Sequence, residues 1–110
     1  MADSSFSGVN ASDNITVGLL GTPITQMRIY SQTITPASIA AATVAEQTFT
    51  VLGLTIADKV HANAAANATA TGICGVRVSA ADTLAVRFVN PTAGALVPAA
   101  GIWTIVAFRS

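Results

Sequence analysis

The chain has 110 residues, one domain's worth, with 52% hydrophobic residues, only 9% charged residues and a formal net charge of zero. That balance leaves no electrostatic footprint for a polyanion, and Arg28, Lys59, Arg77, Arg87 and Arg109 are scattered without interleaved aromatics, which argues against a nucleic-acid interface. Ordinary globular chains carry roughly 25% charge, so much of this surface must be Ala, Thr, Ser, Asn and Gly, which is cheap to desolvate and suits a protein that lives in contact with others.

The opening stretch, "MADSSFSGVNASDN", is polar and acidic, unlike a signal peptide. The sequons at Asn10, Asn14 and Asn67 therefore carry little weight. Residues 1–22 read as an extended N-terminal arm in which Ile15, Val17, Leu19 and Leu20 supply apolar grip, and residues 23–110 read as the folded domain. In "ITQMRIYSQTIT", residues 24–35, Met27 and Ile29 alternate with Gln26, Arg28 and Tyr30, the period of a half-buried strand. "PASIAAATVAEQ" opens on Pro36 and contains poor helix formers, so it reads as a connection or an irregular edge.

A second strand is expected over residues 46–54, with Phe49 and Val51 opposite Thr48 and Thr50 and Gly53 ending it. A third runs from Asp58 with Val60 and Ala62 inward, and a fourth over residues 73–79. "SAADTL" turns the chain, with Asp82 placed to accept hydrogen bonds in the turn and Arg77 and Arg87 placed to pair with an acid across strands. Residues 83–90 form a fifth strand with Leu84, Val86 and Phe88 on one face. The last strand, "IWTIVAFRS", is apolar on both faces, which fits a central strand or an interface. From Phe88 to Phe108 there is no charge, but Pro91, Gly94, Pro98 and Gly101 break the run, so a spanning helix is rejected. Short strands separated by turn signals indicate an all-β fold, an antiparallel β-sandwich that is jelly-roll-like.

Chemistry finds little to work with. His61 is the sole histidine, and Asp58, three residues earlier, falls on the opposite face of a strand. One cysteine, Cys74, permits no intrachain disulfide and fits a small buried hydrophobe made in a reducing cytosol. Asp3, Asp13, Glu46, Asp58 and Asp82 lack metal-loop spacing, so no catalytic residue, cofactor or metal is expected and the chain does not read as an enzyme. Tyr30 and Trp103 are the aromatics that a carbohydrate-binding sandwich would use for stacking, although Trp103 reads more naturally as core or interface.

The run "VAEQTFTVLGLTIADKV", followed by "GVRVSAADTLAVRFVNPTAGALVPAAGIWTIVAFR", resembles the small head decoration (cement) proteins of tailed bacteriophages over about residues 24–109. The resemblance implies a β-sandwich virion protein that assembles as a homo-oligomer; it does not fix dimer or trimer, and a trimer is expected over a dimer. It would sit on the outer surface of the capsid across junctions of the major capsid protein, after synthesis in the host cytoplasm, with no nucleic acid or membrane partner. The expected contacts with the capsid or a sister copy are Leu19, Leu20, Leu96, Val97, Pro98, Ile102, Trp103 and Phe108, with "NPTAGALVPAAG" left bare because a neighbour covers it. The alternative reading is an adhesin-like or carbohydrate-binding module on the virion surface or tail.

Overall fold

The computed structural model describes residues 21–65 and 70–110, so the sequons, Leu19 and Leu20 and all but the last two positions of the arm lie outside the described residues. The described chain is all β. Six strands run β1 (Gln26–Ile34), β2 (Thr43–Thr50), β3 (Lys59–Asn63), β4 (Gly72–Ala80), β5 (Thr83–Asn90) and β6 (Gly101–Arg109). They form two three-stranded antiparallel sheets, ordered β1-β6-β3 and β2-β5-β4. The inner faces of the sheets share one core, which makes the domain a β-sandwich.

The core follows from side-chain alternation. Trp103, Ile105 and Ala107 of β6 meet Leu84, Val86 and Phe88 of β5, all nearly or fully buried. Phe88 and Trp103 pack edge to face, with ring centroids 5.9 Å apart and planes at 82°, the geometry their quadrupoles favour. The Trp103 indole N–H donates to the Ala99 carbonyl at 3.2 Å, so its one polar atom is satisfied. Ile34, Ile39, Val51, Leu54 and Val78 close the rim. The β4–β5 hairpin turns at Ala81 and Asp82, Asp82 with φ 58°, which Asp tolerates better than most residues.

Three details differ from the sequence reading. β2 begins at Thr43 rather than Glu46, so part of the expected connection is strand. Its register against β5, Thr43 opposite Asn90, explains this, because Val44 and Ala45 find cross-strand partners in Val89 and Phe88. In β1 the buried set is Tyr30 and Ile34, while Met27 and Ile29 point away from the core and are exposed. Finally, β6 is central in its sheet but covered on one side only: Ile102 is exposed, and Val106 and Phe108 are half-buried.

Trp103→Ala should destabilise the fold by about 3–5 kcal/mol, read as a large drop in the urea midpoint with Phe88 left without its ring partner. A loss under about 1 kcal/mol would show that the two sheets are not held together at this contact.

Candidate functional surface

Two hydrogen-bonded nodes, one at each end of the sandwich, decide which surfaces are rigid. At the end where β1 begins and β6 stops, Arg109 forks onto Asp58, with Nε to Oδ1 at 2.7 Å and Nη2 to Oδ2 at 3.1 Å. Nη2 also donates to the Gly53 carbonyl at 3.3 Å. The Asp58 side chain is 2% exposed and accepts further bonds from the Thr55 backbone N–H at 3.0 Å and the Thr55 hydroxyl at 3.2 Å. The Arg109 hydrogen bonds, helped by those from Thr55 and opposed by burial, lower the Asp58 carboxyl from its ordinary value to about 2.

Asp82 extends this node. Its Oδ1 accepts from the Gly53 N–H at 2.7 Å, and its backbone bonds Val51 and Leu54. The sequence places Asp82 in the turn, but its side chain caps another loop rather than its own backbone. Gly53 has φ 103°, and a Cβ there would lie 3.1 Å from the Tyr30 hydroxyl, so any other residue would be strained. That hydroxyl is buried and has no hydrogen-bond partner.

At the opposite end, the fully buried Asn90 holds two loops together. Its amide donates to the carbonyls of Ile39 at 3.0 Å and Gly94 at 2.9 Å. Its Oδ1 accepts from the Thr92 N–H at 3.0 Å and the Thr92 hydroxyl at 2.7 Å. Ile39 and Leu96 exchange paired backbone bonds at 2.7 and 3.0 Å. The bare loop between β5 and β6 is therefore stitched to the chain's own body. A charge-free loop stays ordered this way because its buried polar groups find internal partners.

The expected contact residues separate accordingly. Trp103 lies in the core at 0% exposure and presents no surface, and Pro98 is buried. Leu96 is half-buried against Ile39. Val97, at 51%, and Ile102, at 65%, stand out at the end formed by this loop, and Phe108 lies half-buried on the outer face of β6. Enclosure of Trp103 and of the Tyr30 hydroxyl leaves neither as an open stacking platform for a sugar.

The outer faces of the two sheets differ in kind. On β2-β5-β4, Arg77 reaches Glu46 with Nη2 to Oε1 at 2.9 Å and Nε to Oε2 at 3.2 Å. The two residues belong to strands on either side of β5, so the pair lies across it and roofs Ala85, which is fully buried although it faces outward. The hydrogen bond from Arg77 holds the Glu46 carboxyl below its ordinary range, with further help from the charges of Arg77 and Arg87. The pairing of Arg77 with an acid matches the sequence expectation, with Glu46 as the acid.

On β1-β6-β3 the outer face is nearly free of charge. Cross-strand rows read Met27, Phe108, Lys59; then Ile29, Val106, His61; then Ser31, Thr104, Asn63; with Thr33 beside Ile102. His61 is an exposed strand residue there, with Asp58 engaged by Arg109. Cys74 is exposed, against the expectation of a buried thiol, because a register irregularity between Ile73 and Gly75 displaces it from the ladder. Among the described residues no group of three or more His, Cys, Asp or Glu side chains could hold a metal ion. Comparison with protein-family models, curated proteins and solved structures returned no match.

Two outcomes check these nodes. Because the Asp58 carboxyl lies near 2 when folded and 3.8 is its ordinary value, its contribution is fully present above about pH 4 and is lost as pH falls towards 2. Urea midpoints should fall over that window by an amount on the order of 1–2 kcal/mol, and Asp58→Asn should flatten this part of the profile. Tyr30→Phe should be neutral or stabilising in the same assay, because it removes a buried hydroxyl that bonds nothing; a loss above about 1 kcal/mol would mean that the hydroxyl has a partner.

Proposed function

We propose that this protein is a structural virion component that binds the outside of a phage capsid and stabilises junctions between major capsid protein subunits. The observation that supports it best is the uncharged end of the sandwich, where Val97 stands exposed on a loop that Asn90 ties to the body and Ile102 stands exposed at the start of β6 beside it. An apolar surface already fixed in place loses little conformational freedom on binding and strips few ions of water. Cementing needs contact area and rigidity and no chemistry. A shell-specific ligand stabilises the shell by mass action, and repetition of sites over the shell supplies avidity.

The sandwich is read as jelly-roll-like. Nested pairing supports this: β1 pairs with β6 and β2 with β5, while β3 and β4 lie against each other on one flank. Jelly rolls recur in viral shells and also in lectins, so the fold by itself favours neither reading. The enclosure of Trp103 weighs against the glycan-binding alternative.

Co-sedimentation with expanded, decoration-free capsids tests the proposal. Binding should saturate at a copy number tied to icosahedral symmetry. Val97→Asp should cut occupancy at least about tenfold, the equivalent of about 1.4 kcal/mol, without shifting the urea midpoint. Leu96→Asp is a poorer probe, because Leu96 is half-buried and bridged to Ile39. No saturable binding would overturn the reading.

A further inference from the structure

Each sheet of a sandwich has two edge strands, and a bare edge invites another strand to pair with it. Among the described residues, three of the four edges are guarded. β2 has the preceding connection laid alongside it: the Gln47 side-chain amide donates to the Ala37 carbonyl at 2.9 Å, and its oxygen accepts from the Ala37 N–H at 2.8 Å. β3 is five residues long, carries Lys59 and lies against β4 on one flank. β4 is broken by register irregularities between Ile73 and Gly75 and between Val78 and Ala80. β1 has no such device. It runs nine residues in unbroken register with β6, contains no proline, and on its far side bonds no backbone group among the described residues. We infer that this edge is taken by the chain's own preceding segment, with residues 14–20 adding to β1 as an antiparallel strand.

Where the preceding segment joins the domain decides what it can reach. Gly21, Thr22 and Pro23 lead into Ile24 and β1 at this same edge. Gly21 has φ 96°, the positive value that a tight hairpin loop needs. Pro23 has no N–H to offer a ladder, and it falls inside the loop, where none is needed. With Leu20 set opposite Ile24, the three residues between them close the hairpin. So short a tether holds the segment beside the edge at an effective concentration of about millimolar, well above that of a second chain in dilute solution.

Alternation fixes the register. This pairing puts Val17 opposite Met27 and Ile15 opposite Ile29, apolar against apolar, on the face where Met27 and Ile29 are 56% and 69% exposed. Asn14, Thr16 and Gly18 then fall beside Tyr30, Arg28 and Gln26 on the other face. A slip of one residue reverses every side chain and sets Val17 against Gln26 or Arg28 instead. Residues 14–20 contain no charge to strip of water and no proline to interrupt a ladder. The pairing needs neither a capsid nor a second copy, so it stands or falls apart from the proposed function.

The experiment is amide hydrogen exchange on the whole 110-residue chain, read residue by residue by NMR. Along β1 successive N–H groups point alternately to β6 and to the far edge. The edge-facing amides over residues 24–30 should exchange at least tenfold more slowly than those over residues 31–34, which lie beyond the added strand and serve as the control. Val17→Pro should speed their exchange at least tenfold while the amides of β5 keep their protection, which shows that the variant is folded. Nuclear Overhauser contacts should join Val17 to Met27 and Ile15 to Ile29.

Edge-facing amides over residues 24–30 that exchange as fast as the control, or that Val17→Pro leaves unchanged, overturn the inference. Contacts from Val17 to Gln26 or Arg28 overturn the register. Protection that grows with protein concentration assigns the edge to a strand of a second copy and overturns the pairing within one chain. Protection that appears only when capsids are added does the same in favour of the shell. That last result leaves the proposed function standing, whereas failure of capsid binding leaves the exchange pattern unaltered.

Discussion

The edge-to-face contact between Trp103 and Phe88 is the constraint on which the rest of the domain depends. Each ring belongs to the central strand of its sheet, so one contact sets the spacing and relative position of both layers. Once β6 and β5 are fixed by it, alternation decides every other surface. β6 must turn Ile102, Val106 and Phe108 outward because Trp103, Ile105 and Ala107 turn inward. β5 must turn Ala85 and Arg87 outward for the same reason. The apolar face of one sheet and the ion-paired face of the other are thus consequences of a single choice of phase.

The two ends serve this core differently. Arg109, Asp58 and Asp82 lock one end with charge, and Asn90 locks the other with a neutral amide. The difference matters for function. A buried ion pair ties its end to pH, whereas an amide that uses both donors and its acceptor does not titrate. The end carrying Val97 and Ile102 therefore keeps its shape across the acid range in which the opposite end loses its fastening.

Much of the fold was legible because hydrophobic alternation is strong in the later half of the chain. In residues 83–90 the inward set is unambiguous, and the structure places Leu84, Val86 and Phe88 as expected, while "IWTIVAF" reads clearly as a strand without showing which face is inward. β1 was harder to phase. Its inward positions include Gln26, Arg28 and Gln32, which an edge strand tolerates, so polarity alone favours the wrong face. The start of β2 was hidden by alanines, which carry no strong signal for a strand. Trp103 could not be assigned between core and interface from its neighbours in sequence, because β6 is apolar on both sides. The Asp58–Arg109 and Asn90–Ile39 bonds were illegible for a simple reason: each joins residues 51 apart. The sequence marked both Asp58 and Arg109 as charges in a charge-poor chain, and scarcity was the only available clue that they belong together.

The nested order of strands also dictates how the chain folds. The β4–β5 hairpin closes across two residues, whereas the β2–β5 ladder begins with Thr43 opposite Asn90 and the β1–β6 ladder with Gln26 opposite Arg109. Each outer ladder closes a longer loop than the one inside it, and loop closure costs more entropy as loops lengthen. Closure entropy therefore favours assembly outward from the hairpin, with the first and last strands joining last, and dominance of long-range pairing favours slow folding for a domain of this size. While that last ladder is open, the whole apolar inner face of β5 lies uncovered. A ribosome still holding Trp103 in its exit tunnel therefore holds a chain that cannot yet bury its own centre.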